Sequence, residues 1–166
     1  MSATLKDVGH AAMRNLLGTF VTGKAGFSID ANANDVQTTT AVTYYINGLA
    51  YTYAIDAAID ISAEVTNLAD IADLPAGYTC LYVFEIDSAG AFTVAAGEQV
   101  LTADITAGTK SVDVPIPTAD TVCPFAMLKV VNGQASADFV LGTTALDTAG
   151  ITDTYYDITR IPASVA

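Results

Sequence analysis

His10 is the only histidine in the chain. A Ser-His-Asp or Cys-His centre would have to recruit it from a segment with no nucleophile-elbow motif, so it reads as a surface side chain on a helix. Cys80 and Cys123 lie far apart in sequence and lack metal-type spacing, and one histidine cannot complete an ordinary zinc site with them. In a reducing compartment they read as two buried free thiols. Glycine motifs of the Walker or dinucleotide type are absent. The 18 acidic residues include Glu85 and Glu98, the residue type a glycosidase pair needs. The chain has no Trp to floor a sugar subsite, and so many acids produce chance pairs.

Two further groups bear on binding. Asp30, Asn32, Asn34 and Asp35 alternate oxygen donors as the start of a calcium loop does. The sixth position is then Asp35 where glycine is needed, and the twelfth is Ala41 where glutamate is needed. An Asx-rich turn is expected there, and these four are the only residues the spacing offers to a metal. Among eight tyrosines, Tyr51 and Tyr53 share a strand face, with Tyr45 expected opposite them across a hairpin. Such a strip could face a ligand, but core or subunit-interface packing is the expected role. Neither a catalytic centre nor a cofactor is expected, and the chain reads as non-enzymatic.

The elements that position these residues change character along the chain. Leu5, Val8, Ala12, Met13, Leu16, Leu17 and Phe20 recur at helical spacing, with Lys6, Asp7, His10 and Arg14 on the other side. This predicts a short amphipathic helix in an arm over residues 1–24, followed by one β domain over 25–166. The arm packs on its own domain or docks on a neighbouring subunit. For docking, the contact residues would be Leu5, Val8, Ala12, Arg14 and Leu16.

From Thr38 the period becomes two. Asn47-Gly48 separates Val42–Ile46 from Leu49–Tyr53, the strongest short hairpin signal, because both residues tolerate positive φ. Alternation continues through Ile55, Ala57, Ile59 and Ile61, predicting one long strand or two joined by a bend. Tyr78–Ile86 is apolar on both faces, as a central strand is, and Ser88-Ala89-Gly90 turns it into Phe92–Val94. Pro115 and Pro117 make Val112–Pro117 an edge strand or an extended connector. Phe125–Val131, Phe139–Leu141 and Tyr155–Ile161 complete eight or nine short strands. Such spacing predicts an antiparallel β-sandwich or barrel, jelly-roll-like.

Composition narrows the partners. Lys6, Arg14 and Lys24 face only Asp7 in the first 24 residues, while the rest carries three bases against 17 acids. A body of net charge −12 repels phosphate backbones, which argues against nucleic-acid binding. No run is long and apolar enough for a membrane helix, and Arg14 and Asn15 interrupt any signal-peptide core. The 52% hydrophobic share is high for a free surface, so part of it is expected to be covered by a partner.

Three stretches carry a resemblance. Thr43–Tyr51 (TYYINGLAY), Leu81–Val94 (LYVFEIDSAGAFTV) and Gly142–Thr152 (GTTALDTAGIT) resemble hairpin and turn units of the capsid decoration proteins of tailed bacteriophages, also called cement or head-stabilising proteins. The resemblance spans residues 40–155. It implies a virion protein made in the host cytoplasm. Such a protein binds the outside of the shell against the major capsid protein, often as a trimer, and stabilises the shell by bridging neighbouring subunits. No functional residues carry over, because the role is spread over a surface. Another virion component, such as a head fibre, tail or baseplate protein, and a carbohydrate- or receptor-binding β module are the alternatives.

Overall fold

The protein is described here from a computed structural model covering residues 18–55 and 58–159. It is mainly β, with antiparallel sheets arranged as a sandwich. The strands run β1 (Phe20–Val21), β2 (Phe27–Ile29), β3 (Val36–Thr38), β4 (Val42–Ile46), β5 (Leu49–Tyr53), β6 (Tyr78–Asp87), β7 (Phe92–Ala96), β8 (Val100–Leu101), β9 (Val122–Asn132) and β10 (Ile151–Asp157). Two single-turn helices interrupt them, α1 (Ile61–Glu64) and α2 (Thr102–Thr106), with a 3-10 turn at Leu68–Asp70. None of the described helices is long and apolar enough to cross a membrane.

The larger sheet has the order β10-β9-β6-β7, with β8 beside the start of β6. A second sheet, β1-β4-β5, and the β2–β3 hairpin complete the strands. Alternation sorts β6 into two sets. Cys80, Tyr82, Phe84 and Ile86 enter the common core, whereas Thr79, Leu81, Val83 and Glu85 face the other way. Between the layers, Phe27 packs against Phe84 and Phe125 with ring centroids 5.0 and 6.0 Å apart. Tyr44 donates its hydroxyl to the Asp87 carbonyl at 2.8 Å. Aromatic side chains closed off from water join a larger set of buried Val, Ile and Leu in supplying the apolar driving force.

The expected hairpins form where the turn chemistry directs them. Asn47 and Gly48 take φ of 50° and 74°, the left-handed pair that matches strand twist across a two-residue turn. At the β6–β7 turn the Asp87 carboxylate accepts the N–H groups of Ala89 and Ala91. β6 is central, as its two-sided apolar run implied.

Other expectations are corrected. Phe20 and Val21 lie in a strand paired to Tyr45 and Tyr44, so the β domain begins before residue 25 and the helical spacing does not extend to Phe20. The alternation after Tyr53 does not make a long strand. Ile59 forms a single bridge with Val36, and Asp60 then caps α1 by accepting the Ala63 N–H. A carboxylate satisfying a free helix N–H outweighs the pull of period-two spacing there. Phe139 makes one isolated bridge with Leu74 rather than a strand. The closing strand begins earlier than expected, at Ile151. Of the two readings of residues 112–117, the extended connector is the one adopted, and the two prolines, which lack N–H groups, favour it.

Candidate functional site

The outer face of the larger sheet carries a strap. The chain from Ala107 to Ala119 crosses it without regular structure, between α2 and β9. Glu85 holds it down. This side chain is fully buried and points outward from β6, opposite Thr93 of β7. Its Oε1 accepts the backbone N–H of Thr118 at 2.9 Å, and its Oε2 accepts the hydroxyls of Thr118 at 2.5 Å and Thr93 at 2.9 Å. Charge-assisted bonds to both oxygens offset the cost of burying the carboxylate. Further along, a Cβ at Gly97 would meet the Asp113 carbonyl at 3.0 Å, so a side chain there would press the strap back by a few tenths of an ångström. Pro124, which cannot donate to the ladder, sits where the β6–β9 register slips beside Glu85.

This arrangement removes Glu85 from acid–base chemistry with Glu98. Glu98 is exposed beyond Gly97, whose N–H bonds the Leu81 carbonyl. Leu81 and Glu85 are four residue steps apart along β6, about 13 Å. A glycosidase pair needs a separation below about 10 Å. The structure does not bring the two together.

The strap leaves apolar groups in water. Val114 is 59% exposed and Ile116 86%, and Tyr156 of β10, on the same side of the sheet as Leu81 and Met127, is 42% exposed. An open groove between strap and sheet is lined by Leu81, Ile105, Val112, Met127 and Tyr156, with Lys110 and Lys129 at its walls. The described residues contain one other basic side chain, Lys24. The paired prolines signalled an edge strand or an extended connector in the sequence, but the exposure of Ile116 and the placing of two lysines on one groove carried no local signal.

Asp30, Asn32, Asn34 and Asp35 form the β2–β3 turn. Their carboxylates are turned to their own chain. Asp30 accepts the Asn32 N–H at 3.2 Å, and buried Asp35 accepts the Asn32 side-chain amide and the Ile61 N–H at the start of α1. That is the Asx arrangement expected from the sequence. Among the described residues, no three of His, Cys, Asp and Glu are gathered as a metal site.

The tyrosine strip divides. Tyr51 lies opposite Tyr44, not Tyr45, and the two rings stack at 5.5 Å. Tyr45 lies on the other face, opposite Ala50, and stacks on Phe20 at 4.7 Å. Tyr53 meets Phe92 edge-on at 5.1 Å. The Asn-Gly turn sets this register, since a two-residue loop pairs Ile46 with Leu49 and counts back from there. These rings pack against one another.

Cys80 and Cys123 are free and buried. Burial, the main cause, pushes the Cys80 thiol from 9.0 up to about 11 and that of Cys123 up to about 12. Burial also raises the Tyr44 phenol from 10.0 to about 12, with the Asp87 carboxylate adding to it. Thiols held neutral in this way are poor nucleophiles. His10 and the arm residues Leu5, Val8, Ala12, Arg14 and Leu16 lie outside the described residues.

Comparison with protein-family models, with curated proteins and with solved structures finds no match for this chain.

Proposed function

We propose that this chain is a structural, non-enzymatic protein of a tailed-phage head. In this reading it binds the outside of the capsid shell and stabilises it by bridging neighbouring subunits of the major capsid protein. The observation that carries the reading is the strapped outer face. A sheet clamps an extended segment through Glu85 and Thr118, and that segment presents Val114 and Ile116 to water. Exposed apolar side chains on a fixed frame are what a surface that docks on another protein needs. The resemblance to decoration proteins supplies the identity of the partner. Its three stretches contain the β4–β5 hairpin, the β6–β7 hairpin and the turn into β10. The trimeric state belongs to this same reading.

The carboxylates fit a structural role. Glu85, Asp35 and Asp60 each bind the backbone or hydroxyls of their own chain. Net negative charge on the body keeps crowded copies apart on a particle.

Co-sedimentation with emptied phage heads tests the proposal. Saturable binding that Ile116→Asp weakens at least tenfold supports it; no binding at saturating protein refutes it.

A further inference from the structure

Charge is unevenly placed on the outer face of the larger sheet. Along β10 the exposed residues are Thr152, Thr154 and Tyr156, while Asp153 and Asp157 alternate to the inner side. Asp157 is engaged there, accepting the Phe27 N–H at 3.1 Å. The carboxylate on the outward side of β6, Glu85, is engaged by Thr93 and Thr118. β9 adds a cation to this face, Lys129, in register with Leu81 and Thr154.

Lys129 and Lys110, where the strap leaves α2, line the same groove between strap and sheet. Among the described residues no carboxylate pairs with either ammonium group. Asp104 and Asp113, the acids nearest Lys110 in sequence, do not line the groove. Two unpaired cations beside Leu81, Met127 and Tyr156, on a chain of net charge −12, favour an occupant that is both apolar and negatively charged.

The groove is open along one side, which bears on the kind of occupant. Sites for small ligands enclose most of the ligand, whereas a polypeptide segment brings its own body to close the open side. The strap offers such a segment backbone groups as well. Among the described residues the N–H groups of Ser111, Val112, Asp113 and Val114 have no protein acceptor. An extended segment laid along the strap can pair with groups of this kind. Pro115 and Pro117, which could not pair, lie outside the groove.

We infer that this groove holds an extended peptide segment of a partner protein, one that carries Asp or Glu beside apolar residues. The apolar side chains lie on Leu81, Met127 and Tyr156, and the carboxylates meet Lys110 and Lys129. The inference deepens the capsid reading and rests on it only for which protein carries the segment.

Peptide binding to the full chain in solution, without capsids, tests this. The probes are labelled peptides that combine Leu, Val or Phe with Glu in different orders, followed by fluorescence anisotropy. At least one should bind saturably, and its Gln-for-Glu version should bind roughly tenfold more weakly. Lys110→Glu and Lys129→Glu should each weaken binding on the order of tenfold, and Lys110→Arg should retain it. Added salt should weaken binding by screening the pairs. Lys110 is exposed, so reversing its charge leaves the core untouched; Lys129→Gln replaces Lys129→Glu if that variant does not fold. No binding by any of these peptides, or binding that both charge reversals leave unchanged, would overturn the inference. Dodecanoate binding with the same lysine dependence, while no peptide binds, would also overturn it and make the occupant an amphiphile. Peptide binding and co-sedimentation with heads can each fail without the other, so the two readings stand or fall separately.

Discussion

The carboxylate of Glu85 accepts both the backbone N–H and the hydroxyl of Thr118, 33 residues further along the chain. One buried side chain thus fixes the strap that presents Ile116. Thr118→Val removes a charge-assisted bond and should cost about 1.5–3 kcal/mol in denaturant unfolding. The strap should also loosen locally. Trypsin should cut after Lys110 faster in Thr118→Val than in the parent under native conditions. Equal cutting rates would mean that the strap is held elsewhere.

The buried thiols make stability depend on alkaline pH. Cys80 and Cys123 keep their protons in the fold up to about 11 and about 12, whereas the unfolded chain releases them near 9.0. Above pH 9 the unfolded state therefore binds fewer protons, and stability falls as pH rises from about 9 to about 12. The denaturation midpoint should drop between pH 8 and pH 10.5, and by less in Cys80→Ala/Cys123→Ala. At pH 8 a thiol reagent should label neither cysteine until the protein unfolds.

Tyr44 joins the two layers through its 2.8 Å bond to the Asp87 carbonyl. Tyr44→Phe keeps the stack on Tyr51 and should destabilise by about 1 kcal/mol. Tyr45→Phe, on the other face, should change stability by less than half of that. A larger loss at Tyr45 would contradict the division of the tyrosine strip.

Asp35 binds its own turn and the start of α1, so its role does not need a cation. Asp35→Ala should cost about 1–3 kcal/mol with or without calcium, and calcium should leave the melting temperature of the parent unchanged. A calcium-dependent rise that Asp35→Ala removes would restore the metal reading.

Much of this architecture was legible because its signals are local. Asn47-Gly48 needs only its own two φ angles, and the two-sided apolar run at Leu81–Phe84 marks a central strand wherever it lies. The run from Ile55 to Ile61 misled because alternation measures burial, and Ile59 and Ile61 are buried in a bridge and a helical turn. Tyr44 and Tyr45 could not be assigned to faces until the register was counted from the turn. The partners of Glu85 were illegible for a different reason. A bond spanning 33 residues depends on how the strap crosses the sheet, and nothing near Glu85 in sequence encodes that path.

The central claim is that this chain stabilises a shell by bridging its subunits. Heating phage heads assembled with and without the protein, and following genome release, tests it most directly. Heads carrying the protein should release their genome at a higher temperature, and Ile116→Asp should lose part of that gain. An unchanged release temperature with the protein demonstrably bound would contradict the account.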